Sequence, residues 1–166
     1  MHGGRLPRRQ RGRQEDRRPL KGCRIGFDAG GSDRKVSAVI DGESVYSEEV
    51  VWFPKVTEDP EYHFNEIVTA FKTAASKMPR VDAIGVSSAG TFVGNSPMVA
   101  SLFIKVPRDR REEVKSIYDR AGLEIGDVPL VVAYPGLYDA QSMRLFAGVA
   151  GRGLEDGNYY RAFNLF

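Results

Sequence analysis

The chain has 166 residues, 42% hydrophobic and 28% charged, enough for one soluble domain with a sizeable core. Its net charge of +2 is unevenly spread: residues 1–22 hold eight basic and two acidic side chains, residues 23–133 hold 13 and 17, and residues 134–166 hold three of each. An acidic body argues against nucleic acid as its partner, and no apolar run reaches the length of a membrane span. The single cysteine, Cys23, excludes an internal disulfide framework and points to a reducing, cytoplasmic compartment.

The leader from Met1 to Gly22 carries seven arginines among Gly, Pro and Gln, and its only apolar side chains are Met1, Leu6 and Leu20. It cannot bury enough surface to fold and has no apolar core of a secretory signal. It reads as a solvated tail; an organelle-targeting segment or a nucleic-acid-contacting arm are its functional alternatives.

Arg24–Ala29 is a short apolar run ending at Gly30-Gly31, the pattern of a strand entering a tight turn. Val36–Ile40 and Val45–Phe53 follow as strands joined at Asp41-Gly42, a strong hairpin signal, so the first three strands form an antiparallel meander. The period then changes: Phe64, Ile67, Val68, Phe71, Ala74, Ala75 and Met78 recur at three and four residues as one helical stripe. Asp59 is its N-cap, Pro60 its first residue, and Pro79 stops it. His63, near the helix start, is expected at the surface. Val81–Ser87 is a buried strand leading into Ser88-Ala89-Gly90, and Met98–Val106 is expected to be another strand. A second helix starts at Asp109, with Glu112 as capping-box partner, and buries Val114, Ile117, Tyr118 and Ala121. Val128–Ala133 closes the series. The order predicts an α/β protein: a ribonuclease H-like mixed sheet, three antiparallel strands followed by alternating helices and strands, with helices on its faces.

Chemistry concentrates in Asp28-Ala29-Gly30-Gly31-Ser32-Asp33-Arg34-Lys35. An acid closes the first strand, two glycines free the backbone N–H groups of a sharp turn, and a hydroxyl and a lysine follow. Such a turn can hold a polyphosphate through Gly30, Gly31, Ser32 and Lys35, with Asp28 meeting Mg²⁺ through water. The same residues also serve a bare hairpin, Asp28 then being a strand-end carboxylate bonded to backbone. Neither a Walker A loop nor GxGxxG is present.

The segment RIGFDAGGSDRKVSAVIDGE resembles the first phosphate motif of the actin/hexokinase/Hsp70 superfamily, a D-x-G-G-[ST] turn between two strands. VDAIGVSSAG and VPLVVA are similar to later strands of the amino-terminal lobe of ROK-family sugar kinases, so the resemblance covers residues 23–133. It implies one lobe of an actin-like ATPase fold and glucokinase-like, ATP-dependent phosphoryl transfer to a sugar hydroxyl, with ATP and Mg²⁺ as cofactors. By position, Asp28, Gly30, Gly31 and Ser32 match the metal and phosphate turn, and Ser88, Ala89 and Gly90 match a loop that faces the sugar.

The chain departs from that family at Ala133. There the family's strand runs into Asn-Asp, whose aspartate is the general base; here Tyr134-Pro135-Gly136 follow, and Asp139 lies past the turn. The second phosphate loop, the adenosine segment and the Cys-rich zinc motif are not found, and Cys23, His2 and His63 cannot assemble that zinc site. The expectation is a truncated kinase lobe, inactive alone, completed by a missing second lobe or a homo-oligomeric partner. Residues 134–166 do not resemble the family: 137–149 carry a weak helical pattern, and the aromatic end is either a docking surface or the product of a disrupted frame. A metal-dependent nuclease on the same sheet would need a carboxylate cluster, but Asp82 falls at the wrong end of its strand. The remaining alternative is a non-catalytic binding or regulatory module whose leader contacts nucleic acid.

Overall fold

The computed structural model of the protein describes residues 21–133. The leader before Lys21 and the segment after Ala133, including the weak helix at 137–149, lie outside the described residues. Five strands form one mixed sheet in the order β3-β2-β1-β4-β7, with β1 at Cys23–Ala29, β2 at Asp33–Ile40, β3 at Glu43–Val51, β4 at Ala83–Ser88 and β7 at Leu130–Ala133. The first three strands are the antiparallel meander that the sequence predicts. Its second turn has Asp41 and Gly42 at φ 50° and 87°, the left-handed pair that joins twisted antiparallel strands through two residues. β1 pairs parallel with β4, and β4 parallel with β7, so the carboxyl ends of all three point the same way.

The crossover from the meander to β4 is helix α1, Pro60–Ala75, where the Asp59 carboxylate accepts from the Glu61 N–H at 3.0 Å and Pro60 takes the first turn. The crossover from β4 to β7 passes through a two-stranded hairpin (β5, Thr91–Val93; β6, Ser96–Val99) and two short helices, α2 at Arg111–Lys115 and α3 at Ile117–Leu123. One face of the sheet, carrying Ile25, Phe27, Val36, Ala38, Ile84 and Val86, packs against Ile67, Phe71 and Ala74 of α1 and Ile117, Tyr118 and Ala121 of α3. Phe27 and Phe71 meet edge to face with ring centroids 5.4 Å apart.

Four expectations need correction. Among the described residues, α1 and α3 share one face of the sheet instead of dividing between two. The other face carries a row of small residues, Ser47, Ser37, Gly26 and Gly85, paired across four strands. Met98–Val106 is not a strand: β6 ends at Val99, and Ser101–Phe103 is a 3₁₀ turn that buries Leu102, Phe103 and Val106 at one- and three-residue spacings no strand can satisfy. The capping box at Asp109 does not form. Glu112 pairs with Lys115 at 2.6 Å, and the chain enters α2 through a 3₁₀ turn, Arg108–Arg110, with no side-chain cap.

His63 is the fourth. It is fully buried, and its ring packs between Tyr62 and Phe103. The buried stripe of α1 runs through His63, Ile67, Ala70, Phe71 and Ala74, offset toward the N-terminus from the one read in the sequence. Its helix start is covered by the chain around Pro54 and Leu102, whose carbonyls lie 2.9 and 3.0 Å from Nε2.

Candidate functional site

The carboxyl ends of β1 and β4 open into a cleft of about 300 Å³ lined by Asp28, Gly30, Gly31, Lys55, Ser87 and Ser88, among others. This is where parallel strands place their following loops, and hence where a ligand meets free backbone groups. Asp28 stands in register between Lys35 on β2 and Ser87 on β4. Burial pushes its carboxyl above the ordinary carboxylate range, while a hydrogen bond with the Ser87 hydroxyl and the charge of Lys35 pull the other way.

Trp52 fixes the glycine turn. Its indole Nε1 donates to the Gly30 carbonyl at 2.8 Å, and its backbone N–H donates to the Ser32 carbonyl at 3.1 Å. A fully buried tryptophan thus holds the carbonyls of Gly30 and Ser32 and fixes the turn at the edge of the cleft. Gly31 has a further constraint: a Cβ there would lie 2.5 Å from Nζ and 2.5 Å from Cε of Lys55. The absent side chain is what lets a lysine from the next segment lie across the turn.

The residues singled out by sequence separate into groups. Asp28, Gly30, Gly31, Ser88 and Ala89 come together at the cleft, whereas Ser32, Lys35 and Gly90 lie outside its lining. Lys35 is engaged with acids of its own sheet, 3.5 Å from Asp33 and 3.9 Å from Glu49. The Ser88 hydroxyl is buried and accepts from the Tyr118 hydroxyl at 3.0 Å, so its backbone, not its oxygen, faces the cleft. Burial drives the Tyr118 phenol well above its usual range. Gly90, at φ 144°, is where the chain after β6 crosses: a Cβ there would lie 2.5 Å from the Val99 carbonyl oxygen.

Two contributors escaped the sequence reading. Lys55 lies twenty residues beyond Lys35 and reaches the turn only through the fold. His63 ties the segment bearing Lys55 to the cleft wall at Leu102. The signal for His63 was its spacing to Ile67, Ala70 and Ala74; Lys55 had none.

Asp82 sits at the opposite end of β4, where its carboxylate accepts from the Cys23 N–H at 2.8 Å and from Arg80 Nε at 2.8 Å. Among the described residues no group of three His, Cys, Asp or Glu side chains could hold a metal. Asp28 does fit a hydrated Mg²⁺, which needs one or two carboxylates once substrate phosphates supply other ligands. Such an ion would ease the cost of its half-buried charge. Among the described residues no helix is long and apolar enough to cross a membrane.

The arrangement belongs to the α/β class in which a mixed sheet presents a glycine turn and a carboxylate at the ends of parallel strands. Solved structures with this fold include sugar kinases. A ROK family glucokinase from Streptomyces griseus, in complex with glucose and AMPPNP, superposes with a TM-score of 0.51 at 21% identity, over 69% of this chain and 33% of that one. The glucokinase from Parabacteroides distasonis gives a TM-score of 0.57 at 17% identity, over 78% and 33%. A ROK hexokinase from Thermus thermophilus gives 0.50 at 16%, over 69% and 35%. The fold of this chain is thus the fold found in part of ROK-family kinases, and the chain spans about one third of their length. No protein-family model and no curated protein matches its sequence.

Proposed function

We propose that residues 23–133 are the phosphate-holding lobe of a ROK-type, ATP-dependent sugar kinase, with a basic leader at 1–22 before it and a divergent tail at 134–166 after it. The sheet order supports the finer reading of a ribonuclease H-like lobe of the actin-like ATPase kind, because parallel strands on one flank of a meander put the turn after β1 beside the loop after β4. The observation that carries the proposal is the single cleft holding Asp28, the Gly30-Gly31 turn and the Ser88-Ala89 loop.

In this reading Gly30, Gly31 and Ser32 bind the phosphate chain, Ala89 and Gly90 border the sugar, and Asp28 holds Mg²⁺ through water. The ion, when bound, neutralises charge on the transferred phosphoryl group. The described residues supply phosphate binding and orientation but no carboxylate positioned as general base toward a sugar hydroxyl, so the lobe binds without turning over until a second lobe or another copy completes it. A cytoplasmic setting fits a nucleotide-dependent reaction and the lone buried thiol of Cys23.

Titrating Mg-ATP into the full chain should shift the amide signals of Gly30, Gly31 and Ser32 while glucose phosphorylation stays at background. Amide signals that do not move, or robust turnover by the isolated chain, would overturn the reading.

A further inference from the structure

Two lysines compete for the role of phosphate cation, and their surroundings decide between them. Lys35, the nearer in sequence to the glycine turn, is engaged: Asp33 and Glu49 flank its ammonium, and its charge acts on Asp28. Lys55 lines the cleft, and among the described residues no carboxylate lies within ion-pair distance of it. An ammonium laid across a glycine turn, with no counter-ion among the described residues, is a cation available to a ligand.

The segment that carries Lys55 is held by hydrogen bonds on both sides of the lysine along the chain. Trp52, three residues before it, is bonded to both Gly30 and Ser32. The Phe53 N–H donates to the Tyr62 hydroxyl at 3.0 Å, and the Phe53 carbonyl accepts from the Thr57 hydroxyl at 2.5 Å. Pro54 is held through His63, whose Nε2 also lies 3.0 Å from the Leu102 carbonyl in the opposite cleft wall. The lysine stem therefore starts from a fixed point, which lowers the ordering cost of holding its ammonium over the turn.

We propose that Lys55 is a phosphate-binding residue, and that with the Gly30–Ser32 turn it recognises a phosphate chain without needing a nucleoside. The inference rests on reading that turn as a phosphate cradle and adds to it the cation and the ligand class. A chain of phosphates, whether inorganic or the tail of a nucleotide, offers adjacent anionic oxygens that turn amides and an ammonium can meet together.

The test uses inorganic tripolyphosphate, Mg-ATP and adenosine, each titrated calorimetrically into the full chain. Tripolyphosphate should bind within about tenfold of Mg-ATP, and adenosine should not bind. Lys55→Ala should weaken tripolyphosphate about tenfold or more, Lys55→Arg should restore most of it, and Lys35→Ala should leave it within about threefold, with melting temperatures unchanged for both Lys55 variants. Gly31→Ala, which pushes the ammonium aside, should weaken binding in the parent chain and much less in Lys55→Ala. If Mg-ATP binds but tripolyphosphate does not, or Lys55→Ala binds like the parent, the inference is overturned while the phosphate cradle stands. An equal effect of Gly31→Ala in both backgrounds has the same meaning, because the loss then belongs to the turn backbone. Absence of binding by both phosphate ligands removes the cradle and the inference together.

Discussion

The two ends of β4 and of its neighbour β1 are built from similar parts. At one end Asp82 stands beside Gly22, and its carboxylate is saturated by the Cys23 N–H and Arg80, while Asp41 accepts from the Gly22 N–H at 2.8 Å. At the other end Asp28 stands beside Gly30 and Gly31 with one hydroxyl, Ser87, to support it, and Lys55 nearby has no carboxylate partner among the described residues. Hydrogen bonding pulls the Asp82 carboxyl below its ordinary range, whereas burial pushes Asp28 above it. An aspartate and glycines at a strand end do not distinguish a splice from a site. The distinction is whether the charges are already satisfied within the chain.

The largest effect expected on this contrast comes from Trp52, which belongs to the cleft end alone. Trp52→Ala removes a fully buried ring and both of its side-chain roles, packing and the bond to Gly30, and should cost about 3–5 kcal/mol in urea unfolding. If the folded variant still binds tripolyphosphate as the parent does, the turn is not shaped by the tryptophan and the contrast between the ends is weakened.

Tyr118 tests whether Ser88 is part of the site or part of the core. Tyr118→Phe leaves the buried Ser88 hydroxyl without its donor, and the loss should be about 1–2 kcal/mol of stability. Phosphate binding should not change, because the hydroxyl points to the core and only the backbone borders the cleft. A loss of affinity without a loss of stability would move Ser88 back to the ligand side.

Much of this was legible from the sequence where the interactions are local. Asp41-Gly42 announced a two-residue hairpin, and Asp59-Pro60 announced a helix start, because each feature is decided within four residues. The glycine turn was legible as well, through its D-x-G-G-[ST] pattern. Lys55 and His63 were not. Lys35 is nearest the turn along the chain, but antiparallel pairing sets it among the acids of β2 and β3, and the chain after β3 brings Lys55 back over Gly31. His63 depends on Leu102, thirty-nine residues away, and on a 3₁₀ turn whose apolar Leu102 and Phe103 look like a strand when the chain is read alone. The sequence ranks residues by proximity along the chain, and a site is assembled by proximity across it.

The smallest effect is the most direct measure of the contrast, because it depends on one proton at each end. For Asp28 the folded carboxyl binds its proton more tightly than the unfolded one, so the folded state gains stability at low pH and loses it as pH rises through the raised value. Asp82 is the reverse: its contribution is present above the ordinary carboxylate value and lost as pH falls through the lowered one. Asp28→Asn should therefore gain stability relative to the parent between about pH 3 and pH 7, and Asp82→Asn should lose it over the same interval. Urea midpoints measured at both pH values read the two differences directly, and they should have opposite signs. Two differences of the same sign would mean that the ends are satisfied alike, and Asp28 would then be a second splice instead of a group held ready for a ligand.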